Sequence, residues 1–251
     1  MKKVLIILLM LTSFVAGSCR RDNDYAVVVS ANAEWRVIKK IFTDVEYSES
    51  PWGEFFYTSI GGKEVLFFHE GWGKVAAAGA TQYVIDRFDP GVIINIGTCG
   101  GFEGEIERMD IVLAEKTVIY DIIEAMGDSR EAISSYSASI DLSWLGDSYP
   151  VKVRKTLLVS ADRDLRSDEL PFLKKEYSAV AGDWETGAIA YTALRNKKKL
   201  LILRGVSDLV SEKGGEAYNN FGLFEQRTDS VMRMLVADLP KWIDHIEKLK
   251  R

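Results

Sequence analysis

Histidine is nearly missing from this chain, with only His69 and His245, and cysteine is as scarce, with Cys19 and Cys99. His69 has no cysteine or histidine partners at metal-ligand spacing, and His245 falls in a charged C-terminal stretch. Neither a metal-histidine centre nor a Ser-His-Asp triad is supported, and both histidines read as structural or solvated. No excess of positive charge is present either: 32 Lys and Arg stand against 37 Asp and Glu, a formal net charge of −5. Such a balance argues against nucleic-acid polymers as ligands, because these need a basic footprint. The apolar run from Val4 to Val15 is too short to span a bilayer comfortably as a permanent helix.

What is present begins with that run. In "MKKVLIILLMLTSFVAGSC", two lysines, an apolar segment and the small residues Ala16, Gly17 and Ser18 spell a secretory signal over residues 1–18. The ending at Cys19 resembles a bacterial lipoprotein cleavage box, so Cys19 is the expected site of lipidation. The exported chain is then membrane-anchored, facing the periplasm or the cell surface. Removal of Lys2 and Lys3 with the signal moves the formal charge from −5 to −7. With Cys19 lipidated, Cys99 has no disulfide partner, and the fold must stand on its core alone.

A linker follows at residues 19–24, and residues 25–251 form one domain, because 251 residues with 47% hydrophobic content suffice for one sizeable core. Strand-like runs begin at Tyr25, Glu54, Glu64, Gly91, Asp110, Thr156, Ser178 and Leu200. Helical stretches cover Ala33 to Thr43, Gly73 to Arg87, Asp168 to Tyr177 and Glu185 to Lys197, with a long terminal helix from about Asn219, kinked near Pro240. Strands rich in Val, Ile and Leu, alternating with helices, read as an α/β domain with helices on both faces of a sheet. The segment from Gly127 to Pro150, rich in Ser, Asp and Gly, is expected to be the least ordered.

In open α/β sheets, ligands collect beyond the carboxyl ends of the strands. The first strand leads to "ANAEWR", where Glu34 serves either a site or simply the helix dipole. The strand from Gly91 runs into "GTCGG", Gly97 to Gly101, which suits a backbone nest around an oxygen-rich ligand or a tight turn. The strand from Ser178 ends in "GDWETGAIAYTA", where Asp183 and Glu185 flank Trp184; helix capping by Asp183 and a dipole role for Glu185 are the plain alternatives. The fourth, "LLILRGVSDLV", finishes on Arg204, Ser207 and Asp208. Carboxylates at separate strand ends, without metal, suit cleavage of a glycosidic bond: one protonates the leaving group while another handles water opposite an oxocarbenium-like centre.

Three stretches, "GWGKVAAAGATQYVIDRFDPGVIINIGTCGGF", "DWETGAIAYTA" and "LRGVSD", in this order and spacing, resemble the 5′-methylthioadenosine/S-adenosylhomocysteine nucleosidases of the nucleoside phosphorylase family. The resemblance runs from about Tyr25 to the C-terminus. It implies a three-layer αβα fold around a central mixed twisted sheet, an N-glycosyl hydrolase acting on a purine nucleoside, no cofactor, no metal and a homodimer.

Carried over by position, Asp208 falls where a general acid protonates the purine ring nitrogen, with Ser207 holding its carboxyl and Arg204 on the same strand. Glu185 matches the glutamate that grips the ribose hydroxyls, and Glu34 the one that orients the attacking water. Gly97, Thr98, Leu165, Asp183, Trp184, Tyr218 and Phe221 complete the expected substrate-binding set. Asp208 must hold a proton, so its surroundings should raise its pKa by desolvation, while Glu34 must stay charged.

Related phosphorylases place an arginine just before the Gly-Ser/Thr turn, where this chain has Asn95, so water is the expected nucleophile. Arg36 and Arg87 remain as other candidates for phosphate. Three departures bear on the substrate: "VSADRDLRSD" offers Arg163, Asp164 and Leu165 where a phenylalanine is usual; Trp184 replaces a methionine; and Tyr218 replaces a phenylalanine. Phosphorolysis, and a nucleoside-binding lipoprotein without turnover, are the alternative readings.

Overall fold

The computed structural model describes residues 24–250. The secretory signal and Cys19 lie outside the described residues. The chain runs β1 (Tyr25–Val29), α1 (Asn32–Ile41), β2 (Ser48–Glu49), β3 (Glu54–Ile60), β4 (Lys63–His69), α2 (Lys74–Phe88), β5 (Val92–Phe102) and β6 (Ile111–Ile119). It continues through α3 (Ser129–Tyr136), β7 (Ala138–Ser139), β8 (Arg154–Ser160), α4 (Leu170–Tyr177), β9 (Ala181–Asp183), α5 (Thr186–Arg195), β10 (Lys199–Ser211), β11 (Gly214–Gly215) and α6 (Phe221–Leu249).

The strands form one mixed eleven-stranded sheet, in which β4, β1, β5 and β10 run parallel in that order. On the far side, β10 pairs antiparallel with β6, β6 and β8 are parallel, and β9 links β8 back to β5. Because β10 also pairs with β5, this half of the sheet closes into a ring of five strands. All five residues of β1 are fully buried, as expected of a β-branched strand with neighbours on both edges. Helix α6 packs on β5 and β10 and against α1, while α5 packs on β6, β8 and β10 and against α2. Trp242, Leu239 and Leu235 of α6 are buried in the main core.

Two sequence expectations, for "GTCGG" and for Asp208, are corrected. "GTCGG" is neither nest nor turn; it lies inside β5, paired with β10 along its length. Its glycines serve close approach instead. A Cβ on Gly97 would lie 2.3 Å from Nη1 of Arg204, and one on Gly100 3.1 Å from a Leu165 methyl. The segment from Gly127 to Pro150 contains helix α3, whose N-cap Asp128 accepts from the Arg130 N–H at 2.9 Å, and the short strand β7. Pro240 lies inside α6 without ending it. Asp208 is not at the end of its strand: β10 continues to Ser211, and Asp208 sits at a bulge within it.

Candidate active site

The bulge is the first element of the site. Val206 pairs with Cys99 and Asp208 with Gly100, which leaves Ser207 as the extra residue. A bulge bends its strand and re-aims side chains that would otherwise alternate between faces. Ser207 Oγ therefore reaches its own neighbour and donates to Asp208 Oδ1 at 2.7 Å. Both residues are buried yet line a cavity of about 650 Å³. Burial pushes the Asp208 pKa up; the Ser207 bond and the charge of Arg227 oppose this only in part.

Glu185 enters the cavity from the start of α5, at the N-cap position. Its Oε1 accepts the Gly73 N–H at 3.1 Å, a contact between segments 112 residues apart. Asp183 serves the start of α5, the plain alternative to a substrate contact, its Oδ1 accepting from the Thr186 N–H at 3.2 Å and the Thr186 hydroxyl at 2.7 Å. Glu34 reaches back within the first turn of α1, Oε2 accepting the Ala31 N–H at 2.8 Å, while Oε1 accepts the Thr98 hydroxyl. Ala31 cannot cap the helix with its own side chain, so the residue that orders the helix start also presents a carboxylate to the cavity.

Arg204 ties these acids together from below. It is 1% exposed. Its guanidinium donates to Asn95 Oδ1 at 3.1 Å, Ser30 Oγ at 2.9 Å and the Thr98 carbonyl at 3.1 Å. Asp183 Oδ2 stands 3.1 Å from Nε, and Glu185 Oε2 3.7 Å from Nη2. The expected substrate contact is thus largely spent on protein oxygens, and Arg204 positions carboxylates instead. Burial pushes the Glu185 pKa up to about 8, with Arg204 opposing and the charges of Asp183 and Glu34 adding to the rise. Asn95 is equally committed, its Nδ2 donating to the Val28 carbonyl at 3.0 Å.

Thr98, Leu165, Trp184, Tyr218 and Phe221 also line the cavity. Gly97 does not; it lies behind the wall, against Arg204. The Tyr218 hydroxyl donates to the Leu165 carbonyl at 2.7 Å. Trp72 escapes the sequence reading although it stands in the quoted "GWGK". It is 62% exposed, lines the cavity and meets Trp184 with ring centroids 5.3 Å apart. A large apolar side chain between two glycines was the available signal. The contact made by the Gly73 backbone had none.

Among the described residues, the cavity arginines are Arg36, Arg163 and Arg204. Arg36 pairs with Glu225 at 3.2 Å and Arg163 with Glu169 at 2.9 Å, while Arg87 lies at the end of α2, away from the cavity. No described group of three or more His, Cys, Asp or Glu residues is arranged to hold a metal ion. His69 stacks on Trp35 with centroids 5.2 Å apart, and His245 Nε2 bonds to the Leu145 carbonyl at 2.8 Å.

A mixed sheet with carboxylates gathered at β10, α5 and α1 around one cavity is an α/β architecture equipped to cleave a glycosidic bond. The family model described as the Phosphorylase superfamily matches residues 24–239, and the chain belongs to that superfamily. Within it, the chain falls with the 5′-methylthioadenosine/S-adenosylhomocysteine nucleosidases, which are N-glycosyl hydrolases. The nucleosidase of Buchnera aphidicola is 31% identical over 169 residues, 63% of this chain and 72% of the relative. That of a Marinomonas species is 25% identical over 220 residues, 82% and 94% of the two chains. Among solved structures, the Neisseria meningitidis nucleosidase in complex with methylthio-immucillin-A has a TM-score of 0.68 at 22% identity, covering 90% of this chain and 99% of the other.

Proposed function

We propose that this chain hydrolyses the N-glycosidic bond of a purine nucleoside, with Asp208 as general acid. Asp208 donates its proton to a ring nitrogen of the base as the C1′–N bond breaks, so that the base leaves neutral and its bonding electrons stay with it. Proton transfer of this kind contributes on the order of 10²- to 10⁴-fold. Glu185 grips the ribose hydroxyls and shares charge with the oxocarbenium ion. Glu34 orients a water whose oxygen bonds to C1′ and whose proton is released. Products are the free base and ribose.

One observation carries this reading: three carboxylates from different elements line one cavity, and the one at the bulge is buried, which favours the protonated form a proton donor needs. The ion pairs of Arg36 and Arg163 and the buried bonds of Arg204 favour water over phosphate, since a phosphate dianion is best held by uncommitted guanidinium groups. The nucleosidases to which the chain is similar act on 5′-methylthioadenosine and S-adenosylhomocysteine by name. The test is purified residues 25–251 with a panel of purine nucleosides in phosphate-free buffer, read by chromatography. Free base and ribose are expected. Strict dependence on phosphate with ribose 1-phosphate as product would establish phosphorolysis, and binding without cleavage a nucleoside-binding protein.

The same proposal places the enzyme outside the cytoplasm, anchored through lipid on Cys19, as a homodimer acting on scavenged nucleosides. Its support is the signal-like start of the sequence. Incorporation of labelled fatty acid, lost in Cys19→Ala, and light scattering of the soluble domain test the two parts.

A further inference from the structure

Glu185 is held from outside the cavity as well as from within it. Among the described residues, its Oε1 has one hydrogen-bond donor, the Gly73 N–H at 3.1 Å. Arg204 of β10 stands beside Oε2, and the charges of Asp183 on β9 and Glu34 on α1 bear on the same carboxylate. Gly73 is the N-cap of α2 and has no side chain to serve the open N–H groups of that helix. It is held at φ +85°, and Gly71 at φ +73°, a left-handed backbone on both sides of Trp72 that favours glycine. A segment of such conformational freedom needs an outside hold to keep its N–H aimed at one oxygen.

Asp162, in the loop after β8, supplies that hold. Its Oδ1 accepts the Lys74 N–H, the first of α2, at 2.7 Å, and a Cβ on Gly73 would lie 3.0 Å from the same oxygen. Asp162 is fixed in turn. Its own N–H donates to Asp121 Oδ2 at 3.0 Å, and the Lys74 ammonium pairs with Asp121 and lies 3.8 Å from Asp162 Oδ2. The preceding N–H, that of Ala161, donates to the Asp183 carbonyl at 3.0 Å, two residues before Glu185. Two carboxylates thus cap α2 from other parts of the chain, Asp162 on Lys74 and Glu185 on Gly73. Asp162, Asp121 and Lys74 do not line the cavity. With its kinetic consequence resting on the hydrolase reading above, we propose that Asp162 is a positioning residue, which caps α2 from a neighbouring segment and thereby keeps the Gly73 N–H on Glu185.

Asp162→Ala removes the acceptor, whereas Asp162→Asn keeps an oxygen acceptor and removes the charge. The side chain is 41% exposed, so both variants should fold, as melting temperatures will check. In protein labelled at the tryptophan carbonyl carbon and the glycine nitrogen, NMR isolates the amides of Gly53 and Gly73, the two glycines that follow a tryptophan. The Gly53 N–H donates to Ser50 Oγ at 3.0 Å and is the internal control. The hydrogen-bonded Gly73 amide proton should move upfield in Asp162→Ala and stay in place in Asp162→Asn. On the best-cleaved nucleoside, Asp162→Ala should lose about 10- to 100-fold, the usual weight of a hydrogen bond to a charged group. Most of that loss should fall in kcat, because charge on the ribose develops only in the transition state, and Asp162→Asn should stay within about threefold of wild type. A Gly73 amide or a kcat unchanged in Asp162→Ala, or an asparagine variant no better than the alanine one, overturns the assignment. If the wild type cleaves no purine nucleoside while the Gly73 amide responds as expected, the hydrolase reading falls and the hold on Glu185 stands.

Discussion

Ser207 Oγ and the Asp208 carboxylate, adjacent in sequence, meet at 2.7 Å because β10 bulges between Val206 and Asp208. On a regular strand these two side chains would point to opposite faces. The relationship has a direct kinetic consequence. Asp208→Asn keeps the shape of the site and a polar partner for Ser207, but has no proton to give a departing base. Its kcat should fall by on the order of 10²- to 10⁴-fold with an unchanged melting temperature. A variant with near-normal turnover would remove Asp208 from the mechanism.

The pH profile tests the same pair from the other side. The working form of Asp208 is the protonated one, and burial raises its pKa, so activity should persist above the ordinary carboxylate range and fall as pH rises through the raised value. The Ser207 bond favours the ionised form and holds that value down. Ser207→Ala should therefore move the alkaline limb of the kcat profile to higher pH, even as it lowers the plateau by loosening the carboxyl. A shift to lower pH contradicts this account.

Arg204 lies beneath two acids, 3.1 Å from Asp183 and 3.7 Å from Glu185. Arg204→Met removes the charge while roughly keeping the stem, and leaves buried carboxylates with no cation. The expected loss is about 3–5 kcal/mol at pH 9, above the Glu185 value of about 8, the usual cost of breaking a buried pair. Asp183 and Glu185 both have raised pKa values, and without Arg204 they rise further. At pH 5 they can take up protons in the folded state, so the loss should shrink there. Urea unfolding of wild type and variant at the two pH values decides it; an equal loss at both indicates that packing, not charge, is what Arg204 supplies.

Periodicity made the strands legible, because Val-, Ile- and Leu-rich runs bounded by polar residues can lie only inside a sheet, as β1 and β10 do. The candidate acids were legible too, since Glu34, Glu185 and Asp208 are short carboxylates set where apolar runs stop. What escaped depends on strand pairing. "GTCGG" reads locally as a turn, and its pairing with β10, and with β9 at Gly100 and Gly101, keeps it extended. The ring formed by β10 with β5 and β6 is likewise a long-range property with no local sequence mark. Arg204 looked like a ligand contact because its acceptors, Asn95, Ser30 and Thr98, come from elsewhere in the chain.

Glu70 lies outside the proposed chemistry and makes the last test independent of catalysis. It is fully buried at the end of β4, with Oε1 accepting the Thr81 hydroxyl at 2.7 Å and Oε2 without a partner. Burial pushes its pKa up to about 8 from the ordinary 4.5; the Thr81 bond and the charge of Arg204 restrain the rise. A group whose pKa is higher folded than unfolded contributes its stability fully below 4.5 and loses it as pH rises through about 8. Glu70→Gln copies the neutral form and cannot ionise. The variant should match wild type near pH 4.5 and exceed it increasingly toward pH 9, each 1 kcal/mol appearing as roughly 2–4 °C in Tm for a domain of this size. Melting curves across that range, taken as the difference between the two proteins, cancel the contribution of Glu185 to first order. A difference that stays flat from pH 4.5 to 9 would mean that Glu70 is ionised in the folded protein and that Arg204 compensates it.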